Sequence, residues 1–374
     1  MLRPLTLGFA LLWLNLAAAE TRDLILVAGQ SNAVGAETKR PPNIIFILTD
    51  DQGWGDAKFA GHPYLKTPNL DRLAKEGTWL RQFYVAATVC SPSRTAFMTS
   101  HYPARHLVHG HFADHASNAG RSMPDWLDPE VTTLPDLLKQ AGYATAHFGK
   151  WHLGHGKDAP PPEAYGIDVS RTQNSSGTPL GDEGKEPYFR ARSTALMVDE
   201  TIKFAQANKN RPFYVNLWTL VPHAALKPTP EQLAVYADLQ PKADDPAFGE
   251  WMQKYLGKAK DLRSQMQVFA ASVTDLDTQV GRLLDSLDEM GLTNDTLSSS
   301  PATTAPKIIV SATPPTPASA APARFAPANA ACMKAVSAPS DSSAGPARSR
   351  PDALKRAPSP AASTSFPPSR LSPA

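Results

Sequence analysis

Between about residues 41 and 297 the chain alternates short apolar runs with amphipathic stretches, the pattern of a layered α/β domain. Asn43-Ile44-Ile45-Phe46-Ile47-Leu48-Thr49 is almost continuously apolar, which predicts a strand covered on both faces. Residues 67–74 open a helix with Leu70, Leu73 and Ala74 on one face. A helix over 134–140 stops at Gly142, and a strand follows over 143–148. Another helix over 193–208 leads to a strand over 213–218, and a long helix runs from 261 to 290. Asp275 and Asp277 stand two apart on it, share no face, and are read as solvated. A short helix is expected over 93–99, because Pro92 disfavours helical backbone at Ser91.

The two ends break this pattern. Arg3, an apolar run over 5–16 and Ala17-Ala18-Ala19 read as an export signal over residues 1–19, with an uncleaved anchor as the alternative. The run is too short to span a bilayer comfortably, so no stable membrane span is expected. The expected product starts near Glu20 and is periplasmic, secreted or lumenal. Residues 20–40 form a leader whose segment DLILVAGQSNAVG resembles the nucleophile block of the sialate O-acetylesterase-like SGNH hydrolases. In that family the serine at the position of Ser31 attacks an acyl carbonyl. A serine nucleophile needs a base and an orienting group, yet a different strand begins within about ten residues, so a leader strand or fusion remnant is expected. Residues 298–374 are dense in Pro, Ala and Ser with no sustained period, the composition of a disordered tail.

A net charge of +2 points to neither nucleic acid nor anionic membrane surfaces. Two cysteines, Cys90 and Cys332, are too few for a disulfide framework.

Candidate chemistry gathers at strand ends. The strand over 43–49 runs into Asp50-Asp51-Gln52-Gly53, where open α/β sheets place their ligands. Adjacent carboxylates there suit a hard cation such as Ca²⁺ or Mg²⁺, or are simply a solvated turn. Lys150 and His152 follow the strand over 143–148 and either face one anionic ligand or lie at the surface. Cys90-Ser91-Pro92-Ser93-Arg94 precedes a predicted helix, which places residue 90 near a positive helix N-terminus.

Taken together, the strand with D-D-Q-G, the C-S-P-S-R, the G-K-W-H-L-G and the Pro222-His223 pair follow the order and rough spacing of the type I sulfatases. The segment TLPDLLKQAGYATAHFGKWHLG is a close match in length and pattern, and the resemblance covers about residues 41–297. It implies an alkaline-phosphatase-like α/β sandwich around a central mixed, mostly parallel sheet. It also implies that Cys90 is oxidised to formylglycine by a formylglycine-generating enzyme, which reads such a segment before folding.

By the same resemblance Asp50 and Asp51 are divalent-metal ligands, usually for calcium, and residue 90 is both metal ligand and nucleophile. Arg94 holds the formylglycine hydrate, His152 contacts it, and Lys150 and His223 contact sulfate. RPFYVNLW and VPHAALKPTPEQL look most like sulfatases of sulfated sugars, with aryl sulfates as model substrates. The alternatives are a catalytically dead product of the same ancestry and a formylglycine-dependent phosphonate or phosphate monoester hydrolase. Ser100-His101-Tyr102-Pro103 departs from the family's usual glycine-containing turn.

The pattern breaks after Leu297, where family members continue into a strand ending in S-D-N-G that completes the metal site. Regrouping each codon's third base with the next two permits I-F-S-S-D-N-G-P-E after Leu297 and Y-E-G-G-V-R from Cys332. Both are segments of the family in one shifted frame, so a single-base frameshift just after Leu297 is expected. It would leave the sheet one strand short and metal affinity weak. Sequencing the coding DNA around codon 297 tests this: the shifted frame encodes S-D-N-G, or the tail is a genuine low-complexity segment.

Overall fold

The strand over 43–49 is present and one residue longer: β1, Asn43–Asp50, runs through the middle of a seven-stranded sheet. The computed structural model describes residues 40–80, 83–174, 177–182, 185–301 and 331–334. The proposed export signal, the leader with Ser31 and most of the proline-rich segment lie outside these residues.

Along the chain the elements are β1, α1 (Pro68–Glu76), β2 (Thr78–Leu80), α2 (Cys90–Thr99), α3 (His115–Gly120) and α4 (Leu134–Gln140). They continue with β3 (Ala144–Lys150), β4 (Val169–Gln173), α5 (Phe189–Ala207), β5 (Phe213–Pro222), α6 (Pro230–Ala234) and α7 (Glu250–Leu256). The last are α8 (Leu262–Glu289), β6 (Thr296–Pro301) and β7 (Ala331–Lys334). Spatially the strands run β2-β7-β6-β1-β5-β3-β4. The five from β6 to β4 are mutually parallel, and β7 pairs antiparallel with both β6 and β2.

Both faces of this sheet are covered, as the unbroken apolar runs require. Ile45 and Ile47 point into one layer with Leu73 of α1, Met197 of α5 and Leu276, Val280 and Leu283 of α8. Leu48 and Trp218 point the other way, with Met98 of α2, Trp151 and Tyr165. Phe46 completes that face, its ring edge-on to Phe97 at 5.1 Å. The result is the expected three-layer α/β sandwich. No helix among the described residues is long and apolar enough to cross a membrane.

Three expectations are corrected. Asp277 is not solvated: it is fully buried on α8 and accepts hydrogen bonds from Leu70 N (2.7 Å), Asn69 N (3.2 Å) and Asn69 Nδ2 (3.0 Å). It thus caps the free amides at the start of α1 from a different helix, a role that spacing along α8 cannot reveal. Second, α2 begins at Cys90 rather than Ser93, with Pro92 inside it. The first-turn amides of a helix have no internal partner, so proline there sacrifices no hydrogen bond. Third, the β1 edge is not left open: β6 lies along it in parallel register, Ile44 opposite Leu297 and Phe46 opposite Ser299. An exposed strand edge offers amides and carbonyls that any backbone can satisfy, whatever its side chains.

The departure at Ser100 also has a structural counterpart. Ser100 ends α2 in the left-handed region at φ 57°, a conformation that favours glycine.

Asp277→Ala is expected to destabilise the fold by about 2–3 kcal/mol, because it strands several buried donors at once. In thermal denaturation that is a fall of roughly 5–10 °C, and an unchanged midpoint would exclude the cross-helix cap.

Candidate active site

Three strand ends and one helix start meet above the sheet. β1 delivers Asp50, β3 delivers Lys150, β5 leads through a cis Val221–Pro222 bond into His223, and α2 starts at Cys90. Gly149 makes the approach of β3 to β5 possible. At φ 117° it is left-handed, and a Cβ there would sit 1.9 Å from the Trp218 carbonyl oxygen.

Asp50 is fully buried. Its Oδ2 accepts from Lys150 Nζ at 2.5 Å, and its Oδ1 lies 3.4 Å from Arg94 Nη2. Burial alone would raise this carboxyl, but the charges of Lys150, Arg94 and His223 outweigh it and hold Asp50 well below the usual carboxylate range. Arg94 is itself fully buried; its Nη1 donates to the Lys150 carbonyl at 2.8 Å, and its guanidinium lies 5.0 Å from the Trp218 ring centre.

Asp51 adopts a left-handed backbone at φ 63°, and its Oδ2 lies 3.5 Å from His223 Nε2. His223 Nδ1 donates to the Ala224 carbonyl, while Arg190 Nη1 donates to the carbonyls of His223 (3.0 Å) and Ala224 (3.1 Å). Burial, helped by the Lys150 charge, holds the His223 imidazole below its ordinary value, and Asp50 and Asp51 offset this only in part.

Cys90 is a free, buried thiol whose Sγ lies 3.3 Å from His152 Nδ1. His152, left-handed at φ 55°, places its Nε2 3.1 Å from the Phe112 carbonyl oxygen. A carbonyl only accepts, so Nε2 carries the proton and Nδ1 turns its lone pair toward residue 90. Burial first, then the charges of Lys150 and Arg94, push His152 well below its ordinary value, so the ring is neutral near pH 7.

The seven residues expected from the sequence therefore fall together: Asp50, Cys90, Arg94, Lys150 and His152 form the buried centre, and Asp51 and His223 its rim. Lys150 and His152 are buried, not surface residues. The sequence does not single out Trp218, Arg190 or the Phe112 backbone, whose contributions are a ring face, a long-range brace and a main-chain carbonyl. Nor does it single out His147, fully buried beneath the site with its ring edge-on to Trp151 at 4.8 Å and Trp218 at 5.0 Å. The Ala-His-Phe pattern inside a buried strand is its only trace.

A hard cation takes six to eight oxygen ligands. The described residues supply two carboxylates, one already neutralised by two cations, and no group of three His, Cys, Asp or Glu among them is placed to hold a metal. These donors do not complete a metal site.

Two buried cations sharing one carboxylate thus stand near a cysteine at the start of a helix. The sulfatase family model matches residues 42–297, and the chain belongs to the sulfatase family, which is generally formylglycine- and metal-dependent. The N-acetylgalactosamine-6-sulfatase of Mus musculus is 31% identical over 308 residues, covering 75% of this chain and 53% of that protein. The chain spans about half the length of the curated relatives it matches. BT4656, solved with its substrate D-glucosamine-2-N,6-O-disulfate, shares the fold at a TM-score of 0.53 and 23% identity, covering 71% of this chain and 65% of that one. The phosphonate monoester hydrolase of Agrobacterium radiobacter does so at 0.54 and 18%, covering 79% and 68%.

Burial holds His147 down to about 3 against an ordinary 6.5, so it stays neutral in the fold and takes up a proton only on unfolding. Stability should therefore fall as pH drops from 6.5 toward 3, by up to one proton's worth for this group. His147→Gln should flatten the slope of unfolding free energy in that window by up to about 1.4 kcal/mol per pH unit. Equal slopes in denaturant titrations of the two proteins would refute a neutral buried ring.

Proposed function

We propose that this chain carries the catalytic centre of a sulfuric ester hydrolase acting on sulfate monoesters, those of sulfated carbohydrates first. The observation behind it is the meeting of Cys90 with neutral His152 at 3.3 Å, next to the cluster in which Lys150 and Arg94 meet Asp50 and His223 meets Asp51. Export, and conversion of Cys90 by a formylglycine-generating enzyme, belong to the same reading. The thiol then stands where an oxygen of the aldehyde hydrate would be. That hydrate supplies a hydroxyl nucleophile for sulfur and a second hydroxyl through which the aldehyde is regained.

The chain's own residues would do the rest. A sulfate monoester is an anion that repels nucleophiles, so its charge must be met before attack. Lys150 has three ammonium donors and spends one on Asp50, leaving others for sulfate oxygens. His223 approaches from the rim, braced by Arg190. Arg94 lies one helical turn beyond residue 90, with its charge against Asp50. His152 presents the Nδ1 lone pair as the acceptor for a proton leaving residue 90. Asp50 and Asp51 would lend oxygen atoms to a divalent ion such as Ca²⁺ or Mg²⁺. Since the described donors fall short of a site, no step is assigned to it.

Sulfated sugars are favoured because the mouse relative is an N-acetylgalactosamine-6-sulfatase. A phosphonate or phosphate monoester hydrolase is the second reading, favoured only by the shared fold of the Agrobacterium enzyme; a dead product of sulfatase ancestry is the third.

The chain co-expressed with a formylglycine-generating enzyme should show the aldehyde in the mass of its residue-90 peptide and release sulfate from an aryl sulfate. Lys150→Ala should slow that release about 10²–10³-fold. Full conversion without sulfate release would favour the dead product, and faster cleavage of a phosphonate ester the second reading.

A further inference from the structure

Ser91 carries no role in the chemistry above, yet it lies at the end of a closed hydrogen-bonded path that returns to its own neighbour. Ser91 is fully buried at the second position of α2. Its Oγ accepts the Phe112 amide at 3.1 Å, the Phe112 carbonyl accepts His152 Nε2 at 3.1 Å, and His152 Nδ1 faces Cys90 Sγ at 3.3 Å. Cys90 and Ser91 are adjacent in the chain, so the path closes on itself.

We infer that Ser91 is a positioning residue that sets the tautomer and aim of His152 through the backbone of Phe112. Phe112 lies in no helix or strand, so sheet or helix hydrogen bonds do not fix its backbone. Its amide is held by the Ser91 hydroxyl and its ring by a small apolar cluster with Val108 and Met123, while the far side of its carbonyl's peptide unit is held by Ala113 N donating to Asn118 Oδ1 at 3.0 Å. Without the hydroxyl a buried amide loses its partner, a penalty that is relieved by moving the backbone or admitting water. Either response displaces the carbonyl that keeps the proton on Nε2. His152 then samples the other tautomer, in which Nδ1 carries a proton and offers residue 90 no lone pair. The hydroxyl thereby acts on residue 90 from across the loop, by a route that chain adjacency alone would not suggest.

This inference rests on the proposed function for its catalytic meaning but not for its test. Nitrogen-15 NMR of histidine-labelled, unconverted chain reads the tautomer directly. The wild type and Ser91→Thr should show His152 protonated at Nε2 with an unprotonated Nδ1. Ser91→Ala should show a mixture of tautomers or an Nδ1–H form while keeping a cooperative thermal transition. A single Nε2–H tautomer in Ser91→Ala overturns the inference. Should that variant fail to fold, Ser91→Cys, nearly isosteric and a much weaker acceptor, carries the same comparison with the same two outcomes.

In converted enzyme, with conversion checked by mass for each variant, Ser91→Ala should lower kcat about tenfold with little change in KM, and Ser91→Thr should recover it. A change confined to KM would overturn the positioning role. A chain that releases no sulfate defeats the proposed function alone, because the tautomer measurement is decided without turnover.

Discussion

One buried carboxylate sets the geometry of this site. Taking Asp50, Lys150 and Arg94 out of water costs several kcal/mol per ion, which is recovered only if the charges meet closely and their remaining groups are bonded. Asp50 lies between the two cations, and the backbone carbonyl of Lys150 accepts a hydrogen bond from Arg94 Nη1, although Arg94 Nε is left without a hydrogen-bond partner. The end of β1, the end of β3 and the first turn of α2 are thereby tied at a fixed distance. Cys90 precedes Arg94 by one helical turn and His152 follows Lys150 by two residues, so the ion cluster also fixes the pair that faces each other at 3.3 Å. Removing Asp50 would leave both cations buried without a counterion, whereas removing either cation would leave Asp50 paired with the other.

Much of this arrangement is legible in the sequence, for identifiable reasons. A strand buried on both faces must be apolar throughout, so β1, β3 and β5 announce themselves, and chemistry concentrates where such strands end. That is why Asp50, Asp51, Lys150 and His152 are candidates from their place at strand ends, whereas His223 becomes one only through the resemblance to the sulfatases. What stays hidden has no side-chain pattern. The Phe112 carbonyl is a backbone atom in an irregular loop, and the Trp218 ring serves Arg94 from within what reads as ordinary core. Asp277 looks like one more exposed acid on a long helix until the start of α1 is seen against it. Long-range capping depends on how two helices pack, which no spacing along one of them encodes.

The start of the segment past Leu297 hides its place in the sheet for a different reason. Its composition offers little apolar surface, and composition speaks only to what a segment can bury by itself. Pairing is decided by the edge instead. β1 presents a row of amides and carbonyls, and β6 answers them in parallel register from Thr296 opposite Asn43. Buried polar side chains here are matched rather than expelled: Asn43 Nδ2 donates to Thr296 Oγ1 at 3.2 Å, and that hydroxyl donates to the Leu292 carbonyl at 2.7 Å. β7 then pairs with β6 and β2 in turn.

A filled edge and a working centre are separate requirements. Backbone pairing satisfies the first with almost any residues, because it uses atoms that every residue carries. The second needs particular side chains at particular heights above the sheet, because charge on a sulfate ester is met only by groups within a few ångströms of it. On the proposed function, β1, β3, β5 and α2 supply such groups at their ends. If the segment after Leu297 is in the wrong frame, the sheet would close while the oxygen atoms a divalent ion needs from that side would not be delivered. The fold would then survive a change that the metal could not.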